Sequence, residues 1–189
     1  DSVNTVIVPF KKKDEDVYFL VWTTTPWTLM ANLALCVNPD LTYVKVDSQG
    51  YKFIVAESLK EKVVGEEAEV LETYKGTELV GTEYEQLLPF VKVEGKAFQV
   101  LADNYVTAED GTGIVHIAPA YGEDDNRVCR ENGITFVNPV GKDGCYTEGP
   151  WKGRLVTDKE LEIDIIKYLK SEDKLFKKIK PNMYYSRCS

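Results

Sequence analysis

Alternation of apolar and polar residues predicts strands over Val3–Pro9 and Val17–Trp22, paired as a hairpin across the charged loop Lys11–Asp16. Asn38-Pro39-Asp40 marks a turn, and further strands follow at Tyr43–Val46 and Tyr51–Val55 around Ser48-Gln49-Gly50. A short helix is expected over Ser58–Val64, with Ser58 as its cap, Glu61 three residues on and Gly65 as its stop. Short strands are expected near Ala68–Tyr74 and Phe98–Leu101, with a poorly patterned segment from Gly76 to Gly95 between them. Asn138–Gly153, rich in Gly and Pro, reads as a loop. Thr157-x-x-Glu160 reads as a capping box, opening a helix whose Leu161, Ile165, Tyr168 and Leu169 recur at helical spacing. The pattern describes a β-rich α/β domain, with short helices around a closed or nearly closed sheet.

One stretch, GTGIVHIAPAYGEDD at Gly111–Asp125, organises the rest. Gly111 and Gly113 allow a sharp bend at Thr112, and Ile114, Val115 and Ile117 favour an extended strand. Pro119 cannot donate to a ladder and ends that strand. Glu123, Asp124 and Asp125 then open a short helical pattern that stops at Asn132-Gly133. The chain's only histidine, His116, is thereby brought near a group of carboxylates. A lone histidine on an apolar strand is more often a satisfied core residue, and an acidic first turn usually complements the positive end of a helix, so the stretch alone is only suggestive.

The chain has 189 residues, 43% hydrophobic and 29% charged, enough for one well-cored domain. Its formal charge of −8 argues against a free-standing binder of nucleic-acid backbone. Cys36, Cys129, Cys145 and Cys188 show neither CxxC pairing nor histidine spacing, so they read as reduced thiols and no metal site is expected. No apolar run approaches a membrane span, and the absence of an initiator Met fits an excised domain. The nucleophile-elbow, zincin and phosphate-loop signatures are missing, and Gly111-Thr112-Gly113 lacks the third glycine of a dinucleotide fingerprint.

WTTTPWT, Trp22–Thr28, is the second unusual stretch. Its plain reading is a strand end of β-branched residues, with Pro26 forcing Thr25 extended. In a strand, Thr23 and Thr25 share one face while Thr24 takes the other. A strand end stopped by proline exposes hydroxyls that both donate and accept, suited to a ribose or a water.

WTTTPWTLMANLA together with GTGIVHIAPAYGEDD closely resembles the editing domain of the isoleucyl-tRNA synthetase family. Valyl and leucyl relatives carry similar elements, typically with TTRP for TTTP and without this histidine, and NLALCVNPD resembles the cytosolic eukaryotic branch. Met30 departs from the usual proline of WTLPAN, and the tail PNMYYSRCS matches the family poorly.

The resemblance implies that residues 1–189 form one editing domain, an insertion of a longer synthetase, with a closed or nearly closed β-barrel and flanking helices. It implies hydrolysis of the ester of mischarged Val-tRNA(Ile), without cofactor or metal. The partners it implies are the 3′ aminoacylated end of the tRNA and the remainder of the parent enzyme, for a monomeric domain in the cytoplasm. Isoleucine and valine differ by one methylene, about 1–3 kcal/mol in a pocket, a figure for which this enzyme family is itself the standing example. A second site, too small for isoleucine, removes the valyl product.

By the same resemblance Trp22, Thr23, Thr24, Thr25, Asn32, His116, Ala118 and Asp125 line the substrate site. Thr24, Asp125 and His116 serve the reaction. Thr23–Thr25 contact the terminal adenosine and help place the water, Asn32 supports the pocket, and His116 limits side-chain size. Asp125 holds the α-ammonium, with the helix dipole expected to keep it ionised; Asp124 is its competitor by helical geometry. Lysines at Lys11–Lys13 and Lys177–Lys180 could touch tRNA backbone, although such runs are usually solvated faces. Two other classes stay open, a non-catalytic amino-acid- or nucleoside-binding barrel and a structural insertion, and within the same class the editing domain of a valyl or leucyl relative.

Overall fold

The structure is a computed structural model that describes residues 5–179. Residues 3 and 4 of the first expected strand, the tail from residue 180 and Cys188 lie outside it. β1 (Thr5–Lys11) and β2 (Val17–Thr23) form the expected antiparallel hairpin, with Val6 opposite Thr23. Pro26 opens a single 3₁₀ segment, Pro26–Ala31, and β3 (Ala34–Val37) follows at once. β4 (Thr42–Ser48) and β5 (Tyr51–Ala56) pair around a turn in which Gln49 and Gly50 take positive φ. A 3₁₀ turn at Glu57–Leu59 and α1 (Lys60–Val64) replace the helix expected from Ser58, which does not cap it. β6 (Glu69–Lys75), α2 (Gly76–Leu79), β7 (Gln99–Ala102) and β8 (Ile114–Ile117) come next. α3 (Glu123–Glu131), α4 (Lys159–Ser171) and β9 (Lys177–Ile179) complete the order. The cap of α4 is Asp158, which accepts from the Glu160 amide, rather than Thr157.

The strands form two sheets and no closed barrel among the described residues. One sheet has the order β6-β4-β5-β2-β1-β9, the other β7-β3-β8. Closure requires the first and last strands to share a ladder. Here β6 is exposed along nearly its whole length and ends one side of the large sheet, while β9 ends the other. Pro26 also stops β2 from continuing into the small sheet, because proline cannot donate to a ladder. The chain turns instead and restarts as β3, which pairs antiparallel to β8 and parallel to β7.

Two apolar clusters hold these layers. The larger lies beneath the six-stranded sheet and includes Val8, Phe10, Phe19, Val21, Val46 and Val55, closed by Leu161, Ile165 and Leu169 of α4. The smaller gathers Ala34, Cys36, Leu101 and Ile117 against Val128 and Cys129 of α3. It fixes the acidic helix to the back of the strand that bears His116. Burial of each such side chain stabilises the fold by about 1.5–3 kcal/mol.

Candidate functional site

The threonine stretch keeps extended geometry only to Thr23. Thr25 precedes proline and is excluded from the helical region, and its φ of −129° and ψ of 76° aim the chain into the 3₁₀ turn. The Thr25 amide donates to Thr23 Oγ1 at 3.1 Å, and the two hydroxyl oxygens lie 3.5 Å apart. Thr23 and Thr25 thus gather on one side. Thr24 is exposed, as is Thr25, whereas Thr23 is buried. Pro26 at the start of the turn brings Thr28 back over Thr25, with its hydroxyl donating to the Thr25 carbonyl at 2.8 Å. Tyr146 holds the turn from outside, its hydroxyl donating to the Trp27 carbonyl at 2.6 Å. Met30, at the position that departs from the family pattern, is buried against the backbone of Gly149.

The glycine stretch is pinned independently. Gly111 and Gly113 have φ of 77° and 79°, conformations that other residues adopt only with strain. A Cβ at Gly111 would stand 2.8 Å from the Trp22 ring. Tyr43 donates its hydroxyl to the Gly113 carbonyl at 2.6 Å, and the Ala56 amide donates to the carbonyl of buried Thr112 at 2.9 Å. β8 then runs beside β3 with His116 opposite Leu35, and lies against β2.

The two stretches meet at His116. Its Nε2 is 2.7 Å from Thr28 Oγ1, across 88 residues of sequence, and its Nδ1 is 3.2 Å from Asn32 Nδ2. Burial lowers the imidazole pKa to about 4, so the ring is neutral near pH 7. Two residues beyond, the Ala118 amide donates to Asp125 Oδ2 at 2.9 Å and orients the carboxylate toward the strand end. Asp124 is exposed and pairs with Arg127 at 3.6 Å. Burial works against the helix end that is expected to keep Asp125 ionised. Burial raises its pKa, the Asp124 charge adds to the rise, and the Ala118 amide opposes it.

Trp22, Thr23, Thr25, Asn32, His116, Ala118 and Asp125 therefore lie along one path of contacts running through Thr28 and β8, with Thr24 on its exposed rim. Thr28 and Tyr84 are the members that sequence reasoning passed over. Thr28 had a usable signal, three residues after Thr25 across a proline-started turn. Tyr84, whose hydroxyl donates to Asn32 Oδ1 at 2.6 Å, had none. An open cavity of about 580 Å³ adjoins the helix, walled by Pro119, Tyr121, Gly122, Asn126 and Arg130. Neither His116 nor the threonines line it, so its volume does not measure their site. The lysines at Lys11–Lys13 pair with Glu85, Glu15 and Glu83 at 3.5, 2.7 and 3.8 Å, as on a solvated face.

The fold matches that of aminoacyl-tRNA synthetase editing domains. The crystal structure of the P. falciparum cytosolic leucyl-tRNA synthetase editing domain superposes with a TM-score of 0.70, at 11% identity, over 91% of this chain and 98% of that one. The P. knowlesi counterpart gives 0.68 at 12% identity, over 93% and 96%. In sequence, the chain is homologous to a segment of isoleucine–tRNA ligases. The Clostridium kluyveri enzyme is 47% identical over 186 residues, covering 97% of this chain and 18% of that protein. The Clostridium tetani enzyme is 44% identical over 187 residues, with the same coverage of 97% and 18%. The chain thus spans about 18% of the length of these curated relatives. No protein-family model matches it. Both relatives are bacterial, and the eukaryotic affinity read from NLALCVNPD finds no support in them. Among the described residues no helix is long and apolar enough to cross a membrane.

Proposed function

We propose that this chain is the proofreading unit of an isoleucine–tRNA ligase, hydrolysing the ester of mischarged Val-tRNA(Ile) in the cytoplasm. It receives the 3′ end of the tRNA from the rest of the synthetase, its 189 residues forming one inserted domain of that enzyme. The observation that carries this reading is the 2.7 Å approach of Thr28 to His116, which joins the threonine strand end to the strand leading to Asp125. Homology to isoleucine–tRNA ligases selects isoleucine as the cognate amino acid.

Asp125 has one oxygen committed to the Ala118 amide, leaving the other for the substrate ammonium. Beside it Gly122 has no side chain to intrude: a Cβ there would stand 3.1 Å from the Asp125 carboxyl carbon. Asp124, turned to solvent and paired with Arg127, is the weaker choice. Thr24 and Thr25, exposed at the strand end beside Trp22, meet the terminal adenosine and position the water, with Thr23 holding the Thr25 amide. His116, neutral and held at both nitrogens, limits the length of the side chain admitted beside Ala118. One methylene is worth only about 1–3 kcal/mol in a pocket, so exclusion by a rigid ring separates valine from isoleucine better than a second affinity step.

Incubation of the chain with Val-, Thr- and Ile-tRNA(Ile) tests the reading. Free valine is expected first, with isoleucine spared, and His116→Ala is expected to release isoleucine as well. A folded chain that frees no amino acid, or a His116→Ala variant with undiminished preference for valine, refutes it.

A further inference from the structure

Behind the histidine lies a hydrogen-bond chain whose direction can be worked out atom by atom. The Asn32 side-chain amide faces the Ala34 carbonyl at 3.0 Å, and a carbonyl only accepts, so Nδ2 must point there and Oδ1 away. Oδ1 in turn only accepts, so the Tyr84 hydroxyl, 2.6 Å away, must donate to it. The second hydrogen on Nδ2 then points at His116 Nδ1, 3.2 Å away, which must accept and carry no proton. A neutral imidazole without a proton on Nδ1 has it on Nε2, directed at Thr28 Oγ1. Thr28 passes its own proton to the Thr25 carbonyl, so it can receive from both the ring and the Thr25 hydroxyl, 3.2 Å away.

We propose that Asn32, turned by the Ala34 carbonyl and held in that place by Tyr84 as a positioning residue, fixes His116 as the Nε2–H tautomer and sets the polarity of the threonine hydroxyls. Tyr84 is built for rigidity. It is buried, its ring meets Phe10 and Phe98 edge-on at centroid distances of 5.4 and 5.9 Å, and its amide donates to the Phe98 carbonyl. With Nε2 protonated and engaged, the ring cannot take a proton from water at that atom. It acts as a fixed wall and a hydrogen-bond donor. Thr25, whose proton has inward acceptors in Thr28 Oγ1 at 3.2 Å and Thr23 Oγ1 at 3.5 Å, then offers its lone pairs at the exposed strand end, where they accept from a water or a ribose hydroxyl. The effect on amino-acid selection rests on the proofreading reading above; the tautomer does not.

His116 is the only histidine in the chain, so the experiment is clean. Long-range ¹H–¹⁵N spectra of the histidine-labelled 189-residue chain are expected to show a protonated Nε2 and a bare Nδ1. In Tyr84→Phe, which keeps the aromatic packing, Asn32 Oδ1 loses its donor and the two ring nitrogens are expected to shift toward each other. In Asn32→Asp the carboxylate can accept from the ring, and the proton is expected to move to Nδ1. The preference for Val-tRNA over Ile-tRNA is expected to fall about three- to tenfold in Tyr84→Phe, the size of one neutral hydrogen bond. A proton on Nδ1 in the parent chain overturns the proposal. So do parent-like ring signals in a folded Tyr84→Phe or Asn32→Asp, even if stability has dropped. If the ring signals move as expected but no variant or parent releases valine, the tautomer lock stands and the proofreading reading falls.

Discussion

Replacing His116 with glutamine removes the one histidine while leaving an amide able to reach Thr28 and Asn32. The consequence should be a change in how stability depends on pH. In the folded chain the imidazole pKa lies at about 4, against an ordinary value of 6.5, because burial disfavours the charged ring. Each pKa unit corresponds to about 1.4 kcal/mol, so the full difference is about 3 kcal/mol. That figure is an upper one, since part of the ring remains accessible and solvent screens it. A depressed folded pKa means that the unfolded chain binds the proton first as pH falls. Stability from the neutral ring is complete above about 6.5 and drains away toward 4. Near pH 5 the unfolded ring is almost wholly charged and the folded ring almost wholly neutral, giving a slope of about 1 kcal/mol per pH unit. Carboxylates titrate in the same window, and Asp125, with its raised pKa, contributes in the opposite sense. The quantity to measure is therefore the difference between parent and His116→Gln in urea midpoints from pH 7 to pH 4. The parent should lose stability faster by up to about 3 kcal/mol, and its histidine C2 proton should titrate near 4. Parallel curves, or a histidine titrating at 6.5, would show that the ring is not sequestered.

Asp125→Asn keeps a carbonyl for the Ala118 amide but removes the charge. Deacylation of Val-tRNA should fall about 10- to 100-fold in kcat/KM, the cost of one charged hydrogen bond, with the urea midpoint little changed; undiminished hydrolysis would return the role to Asp124 or abolish it. The residual activity of the parent should also fail at a higher pH than that of an ordinary aspartate as acid is added, since burial raises the pKa of Asp125. Gly113→Ala places a methyl 2.5 Å from the Ala56 methyl at a φ of 79° and should cost about 2–5 kcal/mol in chemical denaturation. Gly111→Ala, whose methyl meets the Trp22 ring, should cost less, because a side chain can yield where the end of a strand cannot.

Strands were legible where alternation or a bounding turn marked them. β1, β2 and β4 alternate in part between buried and half-buried positions, while β5, buried at its last four residues, is read from the turn at Ser48-Gln49-Gly50. β3 escaped because Ala34–Val37 is buried at every position, and a short apolar run without alternation is as consistent with helix as with strand. Missing β3 also encouraged the barrel, since the small sheet that it centres was not foreseen. Pro26 was read correctly as a stop, yet its second effect, starting a turn that folds Thr28 back, depends on tertiary packing from Tyr146. Tyr84 lies in the segment with no pattern, where an isolated bridge to Lys12 sets its place. Asp125 shows a different limit: the sequence presents the helix end alone, while the structure sets it against burial and a neighbouring carboxylate, which raise the pKa.

The distance in sequence between Thr28 and His116 overstates how hard they are to bring together. Thr28 lies seven residues before Leu35, within the 3₁₀ segment that precedes β3, and Leu35 is the ladder partner of His116. Once β3 and β8 pair, the threonine turn has little freedom except to sit over the histidine. Ala118, at the exit of the same strand, then takes Asp125 with it. Register becomes the controlling variable, because side chains alternate along a strand and a slip of one residue would present Val115 or Ile117 where His116 stands. Ala34–Val37 is buried at every position and has no alternation to oppose that slip, so the register is held by the His116 hydrogen bonds to Thr28 and Asn32. Variants that weaken this ladder should therefore lose the amino-acid preference before they lose the fold.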